Sequence, residues 1–346
     1  MKRRKDGNID PAWVATRAEE VLSDAPLKEA RQVSEMMITS IKLLGDDADL
    51  GQLKLMNNAL KEMRYAYLIF NRYTGIRKVS IFGSARTPED HPDYEAARSY
   101  GKQMAESGWM AITGAGDGIM KAGHEGPQRE SSFGLSIRLP FETTANDVIE
   151  GDSKLINFRY FFTRKLMFVS HSDAIAVFPG GFGTQDELFE SLTLMQTGKS
   201  DIVPVVLVQG EGSDYWDKWE DGVADNLLDC GWISPEDTSL YFIADSVEQA
   251  VEHVLEFYER FRSYRYVGDR LVLRLDAPLS AEQLAELDAE FRDIIASGEI
   301  EQSGPLPGED DHLELPRVHF HHTRRAFGRT RQMIDHINRL PRVADT

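Results

Sequence analysis

Apolar residues recur at helical spacing through the first 75 of the 346 residues. Trp13, Val14, Ala18, Val21 and Leu22 follow an Asp10-Pro11 pair suited to N-cap and N1. A second series runs through Val33, Met36, Met37, Ile41 and Leu44, and a third through Leu53, Leu60, Met63, Tyr67 and Phe70. This spacing predicts a helical extension over 1–75, a cap or oligomerisation arm without catalytic residues. The pattern changes at Lys78. Short apolar runs at 79–82, 109–113, 133–139, 174–178 and 202–208 read as buried strands. Helices are expected between them, over 94–107, from Ile119 to His124, over 161–172 and over 185–195, then over 216–228 and 246–261. Such alternation predicts an α/β domain over 76–264, a Rossmann-like, doubly wound parallel sheet. Beyond it, 265–346 reads as a small α+β appendage. Its expected parts are a strand at 271–275, a helix at 280–296 capped by Ser280, a loop at 304–311, a strand at 315–320 and a basic helix at 324–340.

Composition narrows the function classes. Asp and Glu number 57 against 39 Lys and Arg, a formal net charge of −18. An acidic surface repels nucleic acid and anionic membrane, so neither is expected as a partner. A small anion remains compatible, provided that helix N-termini and a few placed cations build its site. The one cysteine, Cys230, allows no intrachain disulfide and no Cys-based metal site. Without an apolar leader or a span-length apolar run, the expected location is the cytoplasm.

The strongest chemical signal is Pro179-Gly180-Gly181-Phe182-Gly183-Thr184-Gln185-Asp186-Glu187, between a strand and a helix. Gly180, Gly181 and Gly183 let backbone N–H groups turn inward, the helix adds its positive end, and Thr184 adds a hydroxyl, which together cradle a phosphate. The spacing matches neither a P-loop nor the dinucleotide fingerprint. A tight turn needing positive φ is the competing reading of the glycines. Asp186 and Glu187 are placed on the first turn of the helix, where the dipole favours acids. A carboxylate beside a phosphate cradle can also stabilise positive charge on a ribose and activate water. Glu187 is assigned the catalytic role and Asp186 a capping one. On the preceding helix, Arg164 has a planar fork suited to phosphate or ribose hydroxyls, with an ordinary solvated position as the alternative. Two further strand-end loops, Gly83-Ser84-Ala85-Arg86 and Gly114-Ala115-Gly116-Asp117-Gly118 with Met120 behind it, are placed to border the same crevice.

Together these residues resemble the LOG family, formerly called lysine decarboxylase-like, in its longer bacterial form. Pro179 through Glu187 match its PGGxGTxxE motif without departure, and Arg164-Lys165 match the Arg-Lys on the preceding helix. Phe162-Thr163 stand where plant members carry Met-His. The resemblance covers about 78–208. It implies hydrolysis of a nucleoside 5′-monophosphate to a free base and ribose 5-phosphate, with AMP or a similar nucleotide favoured over a cytokinin monophosphate. It implies Glu187 and Arg164 as the catalytic pair. The expected substrate contacts are Gly180, Gly181, Gly183, Thr184, Gly83, Ser84, Gly116, Gly118, Met120 and Lys165. It implies a homodimer or higher oligomer with the site near the subunit interface, and no metal or redox cofactor. The rival function is a non-catalytic nucleotide- or molybdenum-cofactor-binding carrier, which needs no glutamate beside the phosphate. A decarboxylase needs a lysine able to hold pyridoxal phosphate. His312, His319, His321 and His322 gather near the C-terminus, but a two-His pair on one strand face lacks the further ligands of a metal site.

Overall fold

The computed structural model describes residues 27–138 and 145–342, with 12, 13, 16, 17 and 20. It divides into two compact units, 1–65 and 66–346. In the first unit, helix α1 spans Leu27–Lys42. Helix α2, Leu50–Phe70, runs across the boundary. A reciprocal capping box starts α2: Gln52 N–H donates to Asp49 Oδ1 at 2.9 Å, and Asp49 N–H donates to Gln52 Oε1 at 3.0 Å. Most of the first expected helix, including Asp10 and Pro11, lies outside the described residues.

The second unit is built on seven parallel strands: β1 Lys78–Phe82, β2 Met110–Thr113, β3 Ser132–Ile137, β4 Leu155–Phe158, β5 Ala174–Val177, β6 Val205–Leu207 and β7 Phe242–Ile243. Their order across the sheet is β4-β3-β2-β1-β5-β6-β7. The crossover helices are α3 Pro92–Glu106, α4 Ile119–Glu125, α5 Phe161–His171, α6 Phe182–Gln196 and α7 Tyr215–Val223, and α8 Val247–Glu256 follows the last strand. This is the doubly wound, Rossmann-like sheet that the alternation predicts. Central strands are buried throughout, because helices cover both faces of a parallel sheet. Even the polar members of β1 are satisfied. Lys78 Nζ donates to the carbonyls of Tyr73 and Ile76, and Ser80 Oγ meets Ser172 Oγ at 2.6 Å.

The sheet order reverses between β1 and β5, so the loops after these two strands flank the switch point where such folds bind ligands. Beyond α8 lie β8 Phe261–Val267, β9 Arg270–Leu275, α9 Ala281–Glu290, β10 Ile295–Ser303, β11 Arg317–His322 and α10 Phe327–Arg339. Their strands form an antiparallel sheet in the order β10-β11-β9-β8. Leu271, Leu273, Val318, Phe320 and Met333 of this appendage join one continuous core with Val79, Ile81 and Val206 of the parallel sheet.

Several expected boundaries move. β4 and β7 were not anticipated, since Asn157 breaks the apolar run of LINF and β7 is only two residues long. The helix expected to reach Phe261 ends at Glu256, and the alternating FRSYRYV that follows is a strand. The helix expected over 280–296 ends at Glu290, although Ser280 does cap it. Residues 295–303 then form an edge strand with only two buried positions. Among the described residues, no helix is long and apolar enough to cross a membrane.

A buried ionic clasp holds the 304–315 loop onto the appendage. Glu309 and Arg317 have fully buried side chains paired at 3.1 Å, and Arg274 meets the same carboxylate at 2.8 Å. Arg317 also donates to the carbonyls of His312, Leu315 and Asp311. Burial alone would raise the Glu309 pKa. Hydrogen bonds from Arg317, from Leu306 N–H and from Arg274 outweigh it and hold the carboxyl at about 2. A depressed carboxyl contributes stability that is present above its ordinary 4.5 and is lost as pH falls through about 2. Urea unfolding of Glu309→Gln should therefore show a deficit that narrows steadily between pH 4.5 and pH 2. A deficit that does not change with pH would contradict the clasp.

Candidate active site

The site is assembled where three strand-end loops touch. Ser84 N–H, just past β1, donates to the Pro179 carbonyl, just past β5, at 3.1 Å. Ser84's own carbonyl accepts from Ile119 N–H at 3.0 Å, tying in the loop after β2. The approach is so close that a Cβ on Gly118 would lie 2.3 Å from Ser84 O, and φ there is +58°. Only glycine meets both conditions. The 114–118 loop is braced from behind by Asn146, whose Nδ2 donates to Gly116 O at 2.9 Å and whose N–H donates to Ala115 O at 2.8 Å.

Helix α6 begins at Phe182, three residues earlier than the sequence pattern suggests, with Gly181 as N-cap. Its first internal bond runs from Gln185 N–H to Gly181 O at 3.0 Å. The N–H groups of Phe182, Gly183 and Thr184 therefore have no partner within the helix, which is the property that an anion cradle needs. The earlier start also moves Asp186 and Glu187 to the second turn, away from any capping role. Asp186 instead meets Lys165 Nζ at 2.5 Å.

Glu187 is only 8% exposed. Its Oε1 lies 3.5 Å from Arg164 NH2, and the Arg164 side chain is 12% exposed. Arg164 is thus not a solvated helix residue. Its guanidinium lies 5.3 Å from the ring centroid of Phe161 and 5.7 Å from that of Phe168. Burial raises the Glu187 pKa, and the nearby charges of Arg164 and Lys165 only partly offset it. The pair adjoins the loops. A Cβ on Gly114 would lie 2.5 Å from Met120 Sδ and 3.7 Å from Arg164 NH1, and one on Gly183 would lie 3.9 Å from Glu187 Oε2.

Of the expected site residues, Gly83, Ser84, Gly118, Met120, Arg164, Gly180, Gly183, Thr184 and Glu187 fall in this chain of contacts, with Gly116 and Gly181 in its loops. Lys165 turns elsewhere: its ammonium pairs with Asp186 at 2.5 Å and Glu190 at 2.9 Å. Burial opposes that charge, but the two hydrogen bonds win and raise its pKa, the opposite of what a Schiff-base lysine requires. A groove of about 1580 Å³ runs past Phe162, Lys165 and Glu190 to Tyr264 and Arg274 without including Arg164 or Glu187. Among the described residues no cluster of His, Cys, Asp or Glu could hold a metal ion. His319 meets Arg270 at 2.9 Å and Ser303 at 2.9 Å. Residues the sequence reading missed include Asn146, Tyr215 and Trp219, which belong to no motif, and Gln185, which stands at a variable position of the glycine motif.

Residues 112–254 match the family model described as "Possible lysine decarboxylase". The cytokinin riboside 5′-monophosphate phosphoribohydrolase of Mycobacterium tuberculosis is 29% identical over 181 residues, 51% of this chain and 93% of that protein. The Arabidopsis thaliana enzyme of the same name, LOG3, is 26% identical over 186 residues, 52% of this chain and 83% of that protein. A solved structure of the molybdenum cofactor carrier protein from Chlamydomonas reinhardtii is 22% identical and covers 52% of this chain and 97% of its own, with a TM-score of 0.38.

The two adjacent glycines should respond differently to a methyl group. A Cβ on Gly180 would lie 2.1 Å from Thr184 Oγ1, whereas one on Gly181 would meet nothing within 4 Å. Gly180→Ala should weaken ribose 5-phosphate binding by about tenfold or more, measured by calorimetry, and Gly181→Ala should change it by about twofold at most. Equal effects at both positions would mean that the cradle is not where these contacts put it.

Proposed function

From the homology of this chain to the LOG family, we propose that it hydrolyses the N-glycosidic bond of a nucleoside 5′-monophosphate, AMP or a close analogue, to free base and ribose 5-phosphate. One observation carries the reading: a buried carboxylate, Glu187, is held 3.5 Å from the mostly covered guanidinium of Arg164, next to a helix N-terminus whose first N–H groups have no partner within the helix. A protein that merely holds a phosphate gains nothing from a carboxylate there, since like charges repel. Glycoside hydrolysis does need one. In this reading the phosphate docks on the Gly180–Thr184 loop and Arg164 orients the ribose phosphate. Water adds to C1′ as the C1′–N bond breaks, and the electron pair leaves with the base, which takes up a proton. Glu187 stabilises the oxocarbenium-like charge and accepts the proton of the water.

Purified protein incubated with AMP, GMP, CMP, UMP and a cytokinin monophosphate should release one base together with ribose 5-phosphate. Glu187→Gln should cut kcat by about 10²-fold or more. Glu187 must be ionised for its role, and burial raises its pKa. Activity should therefore fall with decreasing pH at a point above the ordinary glutamate value of 4.5. Arg164→Lys, which keeps the charge and loses the fork, should move that limb little while lowering kcat/KM. Intact nucleotides after prolonged incubation would overturn the reading.

The same reading makes the protein a homodimer or larger oligomer. Phe161, Phe162 and Leu166 of α5 are about half exposed, and Phe182 of α6 is 98% exposed, a set of large apolar groups beside the site. Analytical ultracentrifugation should give at least twice the 39.1 kDa chain mass, and Leu166→Glu should shift the species toward monomer. A monomeric wild type would refute the assignment.

A further inference from the structure

The cradle is held open by a side-chain relay that comes from another part of the chain. Tyr215, the first residue of α7, donates its hydroxyl proton to the Gly180 carbonyl at 2.6 Å. Gln185 Nε2 donates to the Tyr215 hydroxyl oxygen at 2.8 Å. Trp219 Nε1–H donates to Gln185 Oε1 at 2.9 Å. Each proton thus has one acceptor, and the amide orientation of Gln185 is fixed by a partner that can only donate and a hydroxyl already spent as donor.

The position of the relay gives it a task. Two successive carbonyls lead into the cradle, those of Pro179 and Gly180. A carbonyl oxygen turned toward a bound phosphate would repel it, and a peptide flip there would also turn an N–H away. Ser84 N–H captures the first carbonyl at 3.1 Å and Tyr215 captures the second. With both oxygens engaged on the far side, the N–H groups that follow keep their inward direction. Gly180 itself has no side chain to resist a flip, so the restraint has to come from outside. Tyr215 is in turn fixed by its surroundings. Its ring packs edge-on to Trp216 at 4.8 Å, and Trp216, fully buried, donates its indole N–H to Val208 O at 2.9 Å. Trp219 packs edge-on to Trp216 at 5.7 Å and to Tyr241 at 5.2 Å.

Resting on the nucleotide-hydrolysis reading above, we propose that Tyr215 is a positioning residue for the substrate phosphate, acting through the Gly180 carbonyl, with Gln185 and Trp219 fixing its hydroxyl. It contacts neither the base nor the reacting carbon. Its effect belongs to ligands that carry a phosphate and spares those that lack one.

Tyr215→Phe tests this, because it keeps the ring and its packing and removes only the hydroxyl. The KM for AMP should rise about fivefold, and the Kd of ribose 5-phosphate should rise by the same factor. kcat should stay within about twofold, and inhibition by adenosine, which has no phosphate, should not change. Trp219→Phe, which leaves Tyr215 in place, should move the same constants in the same direction by a smaller factor. It serves as the test if the first variant does not fold. Unchanged ribose 5-phosphate affinity in a folded variant overturns the proposal, as does equal weakening of adenosine. Wild-type protein that binds ribose 5-phosphate but cleaves no nucleotide would overturn the hydrolytic reading alone. Wild type that does neither would overturn both.

Discussion

Past the ladder that pairs β1 with β5, one further hydrogen bond ties the loops that leave these two strands. Ser84 N–H to Pro179 O, 3.1 Å long, links the ends of β1 and β5 across the reversal in strand order. At a switch point, neighbouring strands send their crossovers to opposite faces, so their carboxyl ends diverge and leave a crevice. A crevice with loose rims cannot hold an anion in one geometry. Here the rims are tied: Ser84 bonds Pro179 through its N–H and Ile119 through its carbonyl, so three loops share one residue. The closeness explains why glycine recurs in all three loops. Each touches backbone or a side chain that a Cβ would displace, at Gly83, Gly118 and Gly180 alike.

The same contacts decide what the sequence could reveal. The strand-ending glycine loops and the parallel sheet were legible because central strands are continuous apolar runs and their loops carry dense glycine. Glu187 and Arg164 were legible as residue types in a motif, but their burial was not. An isolated reading of Arg164 favours a solvated face, and only the packing of α5 beside α6 puts it at 12% exposure against Glu187. The start of α6 was misjudged because glycine and phenylalanine at 181–183 do not look like a helix opening. The cost of glycine in a first turn is small when the helix is fixed by tertiary contacts. In the appendage, β10 escaped notice because IASGEIEQS buries only Ile295 and Ile300, and an edge strand with polar faces leaves almost no alternation. β8 escaped because its tyrosines and arginines, FRSYRYV, are half-buried rather than apolar.

Net charge illustrates how little a global property constrains a local site. The chain carries a formal charge of −18, yet its crevice presents helix-end N–H groups of the kind an anion needs. These groups are dipoles beside one guanidinium, so they add little to the count of cations. Surface carboxylates several Debye lengths away are screened, whereas N–H groups at a helix end act at hydrogen-bond range. The acidic total is thus compatible with a local anion site.

The pairing of Glu187 with Arg164 solves an electrostatic conflict that the site creates for itself. Burial makes ionisation of Glu187 harder, and a phosphate arriving on the adjacent loop would make it harder still, since both groups are negative. A carboxyl protonated on substrate binding could neither stabilise a cationic sugar nor take a proton from water. Arg164 counters both effects from one position, because its charge lies 3.5 Å from the carboxylate and its donors remain a planar fork able to meet a second anion. A lysine would supply the charge through a single point and leave one of the two anions poorly met. Lys165, one residue on, shows the contrast: its ammonium is consumed by Asp186 and Glu190, and it stays outside the chain of loop contacts. The adjacent Arg and Lys are therefore separated in their partners by the direction in which α5 points them.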